Sequence, residues 1–184
     1  MNKLFNTFER SLNMSSDDLA RILKELDVVS KEPTRSTSGL ELEYYISIKK
    51  ACGYHNTLDM MAEELWRIMD KQTTCVAATG YGGKPLAAAL VAKYYGLKAC
   101  YVREKRSDHG ERKLLEGHIP TVGDKVTIID DVFSTGSTIQ RVARWLEPTG
   151  AEIVGCAVVV NRYESKIPNL GFPVKHILTS KDLI

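Results

Sequence analysis

The sequence predicts an α/β fold, a central parallel sheet flanked by helices, with a small N-terminal hood. The apolar runs TTCVAAT, KACYV, VTIID and EIVGCAVVV alternate with segments of helical period. Several are apolar at consecutive positions, the pattern of strands covered on both faces, as in parallel sheets. A chain of 184 residues, 43% hydrophobic and 26% charged, is also long enough to bury its own core. We therefore expect a single domain over residues 1–184, with N-terminal helices and the hood in 1–56 and the α/β core in 57–184.

The first third reads as helical. Leu4, Phe5 and Phe8, then Leu19, Ile22, Leu23 and Leu26, recur at helix-like spacing. Ser15 or Ser16 ahead of Asp17 and Asp18 supplies an N-cap and acidic residues for the positive end of the helix dipole. A turn-rich stretch around Pro33 leads into an alternating run from Leu42 to Ile48, the expected hood. From Thr57 the order is a helix through MMAEELWRIM, the strand TTCVAAT, a helix through PLAAALVAKYYG and the strand KACYV. A charged loop from Arg103 to Thr121 follows, then VTIID, a helix from about Thr138 to Leu146, and EIVGCAVVV. Trp66, Trp145, Met60, Met61 and Met69 fall on helices and suit the core or an interface.

Bulk properties narrow the function classes. A net charge of +2 offers no electrostatic case for a nucleic-acid or membrane partner. Cys52, Cys75, Cys100 and Cys156 form no CxxC pair and no zinc-ligand spacing, and Cys75 and Cys156 sit inside apolar runs, so reduced thiols are expected. MNKLFNTFERSLN lacks the apolar centre of a signal peptide, and no run is long enough to span a bilayer. A cytoplasmic protein is the expectation.

The chemistry concentrates in VTIIDDVFSTGST, Val126 to Thr138. It joins a strand, two carboxylates, a hydroxyl-rich turn with one glycine, and a helix start. Successive backbone N–H groups of such a turn and the open first turn of the helix converge on an anion, suiting a phosphate monoester. Gly136 permits close approach of backbone, and Ser134, Thr135, Ser137 and Thr138 add hydroxyl donors. Asp130 and Asp131 would repel phosphate. They suit sugar hydroxyls, directly or through Mg²⁺, so the segment as a whole fits a phosphorylated ribose.

VTIIDDVFSTGST closely resembles the phosphoribosyl pyrophosphate signature of type I phosphoribosyltransferases, and further segments resemble the orotate branch of that family. SGLELEYYIS is similar to that branch's SG-x-x-S-x-YY segment, with Leu42 in place of the serine. TGYGGKPLAAAL resembles its pyrophosphate-side loop, YVREKRSDHGERKLLEG its mobile catalytic loop, and VVVNR its strand ending in arginine. The resemblance runs from about Thr37 to Arg162.

The resemblance implies a phosphoribosyltransferase that exchanges the pyrophosphate of 5-phosphoribosyl-1-pyrophosphate for a ring nitrogen, orotate being favoured as the base. It implies that Asp130, Asp131, Val132, Phe133, Ser134, Thr135, Gly136, Ser137 and Thr138 bind the ribose and 5-phosphate. Tyr81 and Gly82 would lie near the pyrophosphate. Arg103 and His109 would close over the reacting groups and act with Asp131 in catalysis. Tyr45, Ile46, Ser134 and Arg162 would meet the base. Mg²⁺ would be carried by the substrate, near Asp130 and Asp131, and the catalytic loop would reach a partner subunit in a homodimer. Where the best-known bacterial members carry lysine, this chain has Thr37, Gly82, Glu104 and Ser107, although Lys105, Arg106, Arg112 and Lys113 keep the loop basic. Two alternatives stay open: a transferase for another base, for which Phe133 could stack on a purine, and a non-catalytic sensor of phosphoribosyl pyrophosphate.

Overall fold

A computed structural model describes residues 15–30, 34–35, 41–42, 44–104, 114–162 and 167–184. Leu4, Phe5 and Phe8, and the loop positions Ser107 and His109, lie outside the described residues. The chain opens with α1 (Ser16–Glu25), where Ser15 and Asp18 form a reciprocal capping box and Asp17 and Asp18 occupy the first turn. Short strands β1 (Val29–Ser30), β2 (Thr34–Arg35), β3 (Glu41–Leu42) and β4 (Tyr45–Ile46) build the hood as two antiparallel pairs, β1 with β4 and β2 with β3. A 3₁₀ helix, Ile48–Gly53, then leads to α2 (His55–Ile68).

The core consists of β5 (Cys75–Thr79), α3 (Gly80–Lys93), β6 (Lys98–Val102), β7 (Leu115–Gly117), β8 (Lys125–Phe133), α4 (Ser137–Leu146), β9 (Glu152–Asn161) and β10 (Val174–Thr179). These strands form one sheet in the order β10-β9-β8-β5-β6-β7. All neighbours run parallel except β7, which pairs antiparallel with β6. The central α/β sheet is as expected, and four details differ. The charged loop contains an edge strand, α3 begins at Gly80 rather than Pro85, β8 continues through both aspartates to Phe133, and a further strand, β10, follows β9.

Alternate strand residues feed two apolar layers. Val76, Ala78 and Ile129 pack with Leu86, Ala87 and Leu90 of α3 and with α2. Cys75, Ala77, Val126 and Ile128 pack with Ile139, Val142 and Leu146 of α4 on the opposite face. Trp66 stacks on Tyr94, ring centroids 4.2 Å apart, which ties α2 to the end of α3. Cys75, Cys100 and Cys156 are buried free thiols. No helix among the described residues is long and apolar enough to cross a membrane.

At the base of the sheet, buried Asp124 holds three segments together. Its carboxylate accepts from Thr74 Oγ1 at 3.0 Å, Lys98 Nζ at 2.9 Å and the Thr121 N–H at 3.0 Å, and pairs with His118 Nε2 at 2.9 Å. Burial alone would raise its pKa. The combined bonds from His118, Lys98, Thr121 and Thr74 outweigh that and hold the carboxyl well below the usual carboxylate range.

The strand order dictates where a ligand can sit. After β5 the chain crosses to β6 on one side, whereas β8 pairs on the other side of β5. That reversal opens a crevice at the carboxyl ends of β5 and β8, the position where open α/β sheets bind ligands.

Candidate active site

Two helices begin at this crevice, and neither has a side-chain cap. For α3 the capping position is Thr79, whose hydroxyl donates to the Val102 carbonyl at 3.0 Å. For α4 it is Gly136, in the left-handed region at φ 78. Apart from the Ser137 N–H, which the Thr135 hydroxyl accepts, the first turns of both helices have no side-chain cap and suit an external anion. Between them ends β8, with the two aspartates.

Asp130 is 8% exposed and accepts the Asp131 N–H at 3.0 Å. Burial, followed by the charge and side-chain bonding of Asp131, pushes its carboxyl well above the ordinary value. Asp131 is more open, and its carboxylate lies against the first turn of α3. A Cβ on Gly82 would stand 2.2 Å from its Cγ. Gly82 thus lets the Asp131 carboxylate lie where a side chain on α3 would displace it. One residue on, a Cβ on Gly83 would meet the Ile129 carbonyl at 2.7 Å, so this glycine lets α3 pack against β8. The expected pyrophosphate-side loop is thus the start of a helix, made glycine-rich by close approach and continued by Pro85.

In the turn after β8, Thr135 Oγ1 donates to Ser137 Oγ at 3.1 Å and accepts the Ser137 N–H at 3.4 Å. Ser134 and Thr138 are partly exposed beside it. Gly136 needs its missing side chain as well as its φ, since a Cβ would lie 3.1 Å from the Phe133 ring. Phe133 is 1% exposed within the α4-side core, so only its backbone can face a ligand, and the partly buried Val132 packs against the α3-side core. Phe133 cannot stack on a base.

The Phe133 carbonyl accepts the Arg162 N–H at 2.8 Å, anchoring the end of β9 to the phosphate turn. The Arg162 guanidinium carbon lies 4.4 Å from the centre of the Tyr44 ring. Tyr44, rather than Tyr45, thus meets Arg162. Tyr45 is half-buried and pairs with Ser30, while Ile46 is 4% exposed and belongs to the core. The available signal was the doublet Tyr44-Tyr45, whose inward member depends on register with β1.

Tyr81 is 88% exposed on the first turn of α3. Arg103 Nε donates to Glu116 Oε1 at 2.8 Å, with a second bond from its terminal nitrogen to the same oxygen. Sequence reasoning missed Glu116, since it stood in what read as loop. Cys52, on the 3₁₀ helix, has its thiol pushed up to about 11 by burial and then by the Asp131 charge, so it is an unreactive neighbour of the site.

Residues 55–179 match the family model described as the phosphoribosyl transferase domain. The chain is similar to the orotate phosphoribosyltransferase of Pyrococcus abyssi, 35% identical over 153 residues, covering 80% of this chain and 83% of the relative. It is also similar to that of Corynebacterium glutamicum, 32% identical over 172 residues and 90% and 92% of the two chains. The crystal structure of orotate phosphoribosyltransferase from Aeropyrum pernix superimposes with a TM-score of 0.76 at 26% identity, covering 90% of this chain and 95% of that one. With the signature segment on the β8–α4 turn, the chain belongs to the type I phosphoribosyltransferase family, on the branch of the orotate phosphoribosyltransferases.

Proposed function

We propose that the protein transfers the phosphoribosyl group of 5-phosphoribosyl-1-pyrophosphate to orotate, giving orotidine 5'-monophosphate and pyrophosphate. The observation that carries this reading is the pair of uncapped helix starts flanking Asp130 and Asp131. The α4 start, with Ser134 to Thr138, holds the 5-phosphate. Asp131 takes the ribose hydroxyls, with Asp130 buried beneath it to fix its direction. The α3 start, with Gly82 and Tyr81, takes the pyrophosphate. A cationic residue over an aromatic ring, Arg162 on Tyr44, suits an anionic base such as orotate.

The reacting bond lies between these subsites. Positioning both partners there supplies much of the rate enhancement, and donors aimed at the departing pyrophosphate supply more. Arg103 and His109 are assigned to that task by the resemblance, and the loop bearing them would serve a homodimer partner's site. The open carboxylate of Asp131 fits Mg²⁺. When bound, Mg²⁺ would neutralise pyrophosphate charge as it leaves.

The test is an assay of purified protein with Mg²⁺, phosphoribosyl pyrophosphate and orotate, with uracil, adenine, hypoxanthine and xanthine in parallel. Turnover with orotate, lost in Arg162→Ala, supports the assignment. Turnover with a different base moves it to that base, and binding of phosphoribosyl pyrophosphate without turnover makes the protein a sensor.

A further inference from the structure

We infer that Glu104 is a resting counter-anion at the pyrophosphate subsite, an exposed carboxylate lying where pyrophosphate must enter, which weakens the grip on phosphoribosyl pyrophosphate. This deepens the reading above and rests on the assignment of the α3 start to pyrophosphate. Gly80 opens α3 in the left-handed region at φ 65, and a Cβ there would stand 3.2 Å from Glu104 Oε1. The helix start beside it has no side-chain cap, because the Thr79 hydroxyl is bonded to Val102. A negative side chain next to open N–H donors stabilises the empty state and competes with an incoming anion.

The adjacent cation is held away. Arg103 is clasped through two of its nitrogens by Glu116 of β7, and its own N–H is bonded to the Leu114 carbonyl at 2.8 Å. At the end of β6 the carboxylate is therefore presented to α3, and the guanidinium to the edge strand. Pyrophosphate binding must reverse both contacts: Glu104 leaves the helix start and Arg103 leaves Glu116. Because Glu104 is exposed, solvent screens the repulsion, and its removal should tighten binding roughly three- to tenfold rather than by orders of magnitude.

Calorimetric titrations of phosphoribosyl pyrophosphate, inorganic pyrophosphate and ribose 5-phosphate test this in wild type, Glu104→Gln and Glu116→Gln, with and without Mg²⁺. Glu104→Gln should bind the two pyrophosphate-bearing ligands three- to tenfold more tightly and ribose 5-phosphate unchanged. Glu116→Gln should shift affinity in the same direction by releasing Arg103. Unchanged pyrophosphate affinity in Glu104→Gln overturns the inference, as does weakening confined to Mg²⁺, which would make Glu104 a cation ligand. Inorganic pyrophosphate separates the two levels. If wild type binds it and Glu104→Gln binds it no more tightly, only this inference fails, whereas if neither protein binds it the subsite assignment fails and this inference with it.

Discussion

A single methyl group at Gly82 should uncouple stability from activity. In Gly82→Ala the new Cβ would fall 2.2–2.4 Å from three atoms of the Asp131 carboxylate, far inside van der Waals contact. Asp131 must retreat by about 1 Å to restore normal separation. The atoms in the way are the end of a side chain at the mouth of the crevice, so the retreat costs little folding energy. Replacing glycine by alanine within α3 meanwhile favours the helix by up to about 1 kcal/mol. The melting temperature should therefore hold or rise. Activity should fall on the order of 10²-fold, the typical penalty for a misplacement of about 1 Å at a reacting centre. Gly83→Ala is the control: its Cβ meets the Ile129 carbonyl at 2.7 Å, a backbone atom of the sheet, and it should destabilise the fold by about 1–3 kcal/mol. The assays are thermal unfolding and steady-state turnover of orotate for both variants. Gly82→Ala with wild-type turnover would refute the claim that Asp131 acts from this position.

Other perturbations follow from the same geometry. Asp130 has a folded pKa raised above its unfolded value by burial and Asp131, so its contribution is fully favourable below the ordinary carboxylate pKa and is lost as pH rises through the folded value. Asp130→Asn should therefore raise stability by about 1 kcal/mol at neutral pH, with the gain fading as unfolding is measured towards pH 4, while activity falls. Asp124 behaves oppositely. Its lowered pKa stabilises the fold above the ordinary carboxylate pKa, and that stability is lost under acid as the carboxyl protonates. Denaturant titrations of Asp124→Ala at pH 7 should show a loss of about 2–3 kcal/mol, shrinking at low pH. Tyr44→Ala should raise the KM for orotate about three- to tenfold by removing the ring beneath Arg162, and Tyr44→Phe should restore it, whereas changing Tyr45 should matter less.

Much of the architecture was legible because β5, β6, β8 and β9 are buried on both faces and so read as unbroken apolar runs. The elements missed lack that signature. β10 alternates buried Leu178 with the more exposed Val174, Lys175 and His176, and β7 is three residues in a charged stretch. The first turn of α3 was misread for a definite reason: Gly80, Gly82 and Gly83 resemble a flexible loop, yet Gly82 and Gly83 serve close contacts with Asp131 and Ile129. In the site, Asp130, Asp131 and the hydroxyl turn were visible because they are contiguous. The contact of Tyr44 with Arg162 was not foreseen, because the short strand that follows Tyr44 offers too little alternation to say which side faces Arg162. Glu104 and Glu116 act through residues distant in sequence, Gly80 and Arg103, and only the folded sheet edge brings them together.

The central claim is that Asp131, between the two open helix starts, holds the ribose of phosphoribosyl pyrophosphate while orotate displaces pyrophosphate. It is tested most directly by following orotidine 5'-monophosphate formation in wild type and Asp131→Asn, with thermal unfolding to verify that both are folded. The account predicts Mg²⁺-dependent turnover in wild type and a loss of at least about 10²-fold in the folded variant. Equal turnover in the two proteins would contradict it.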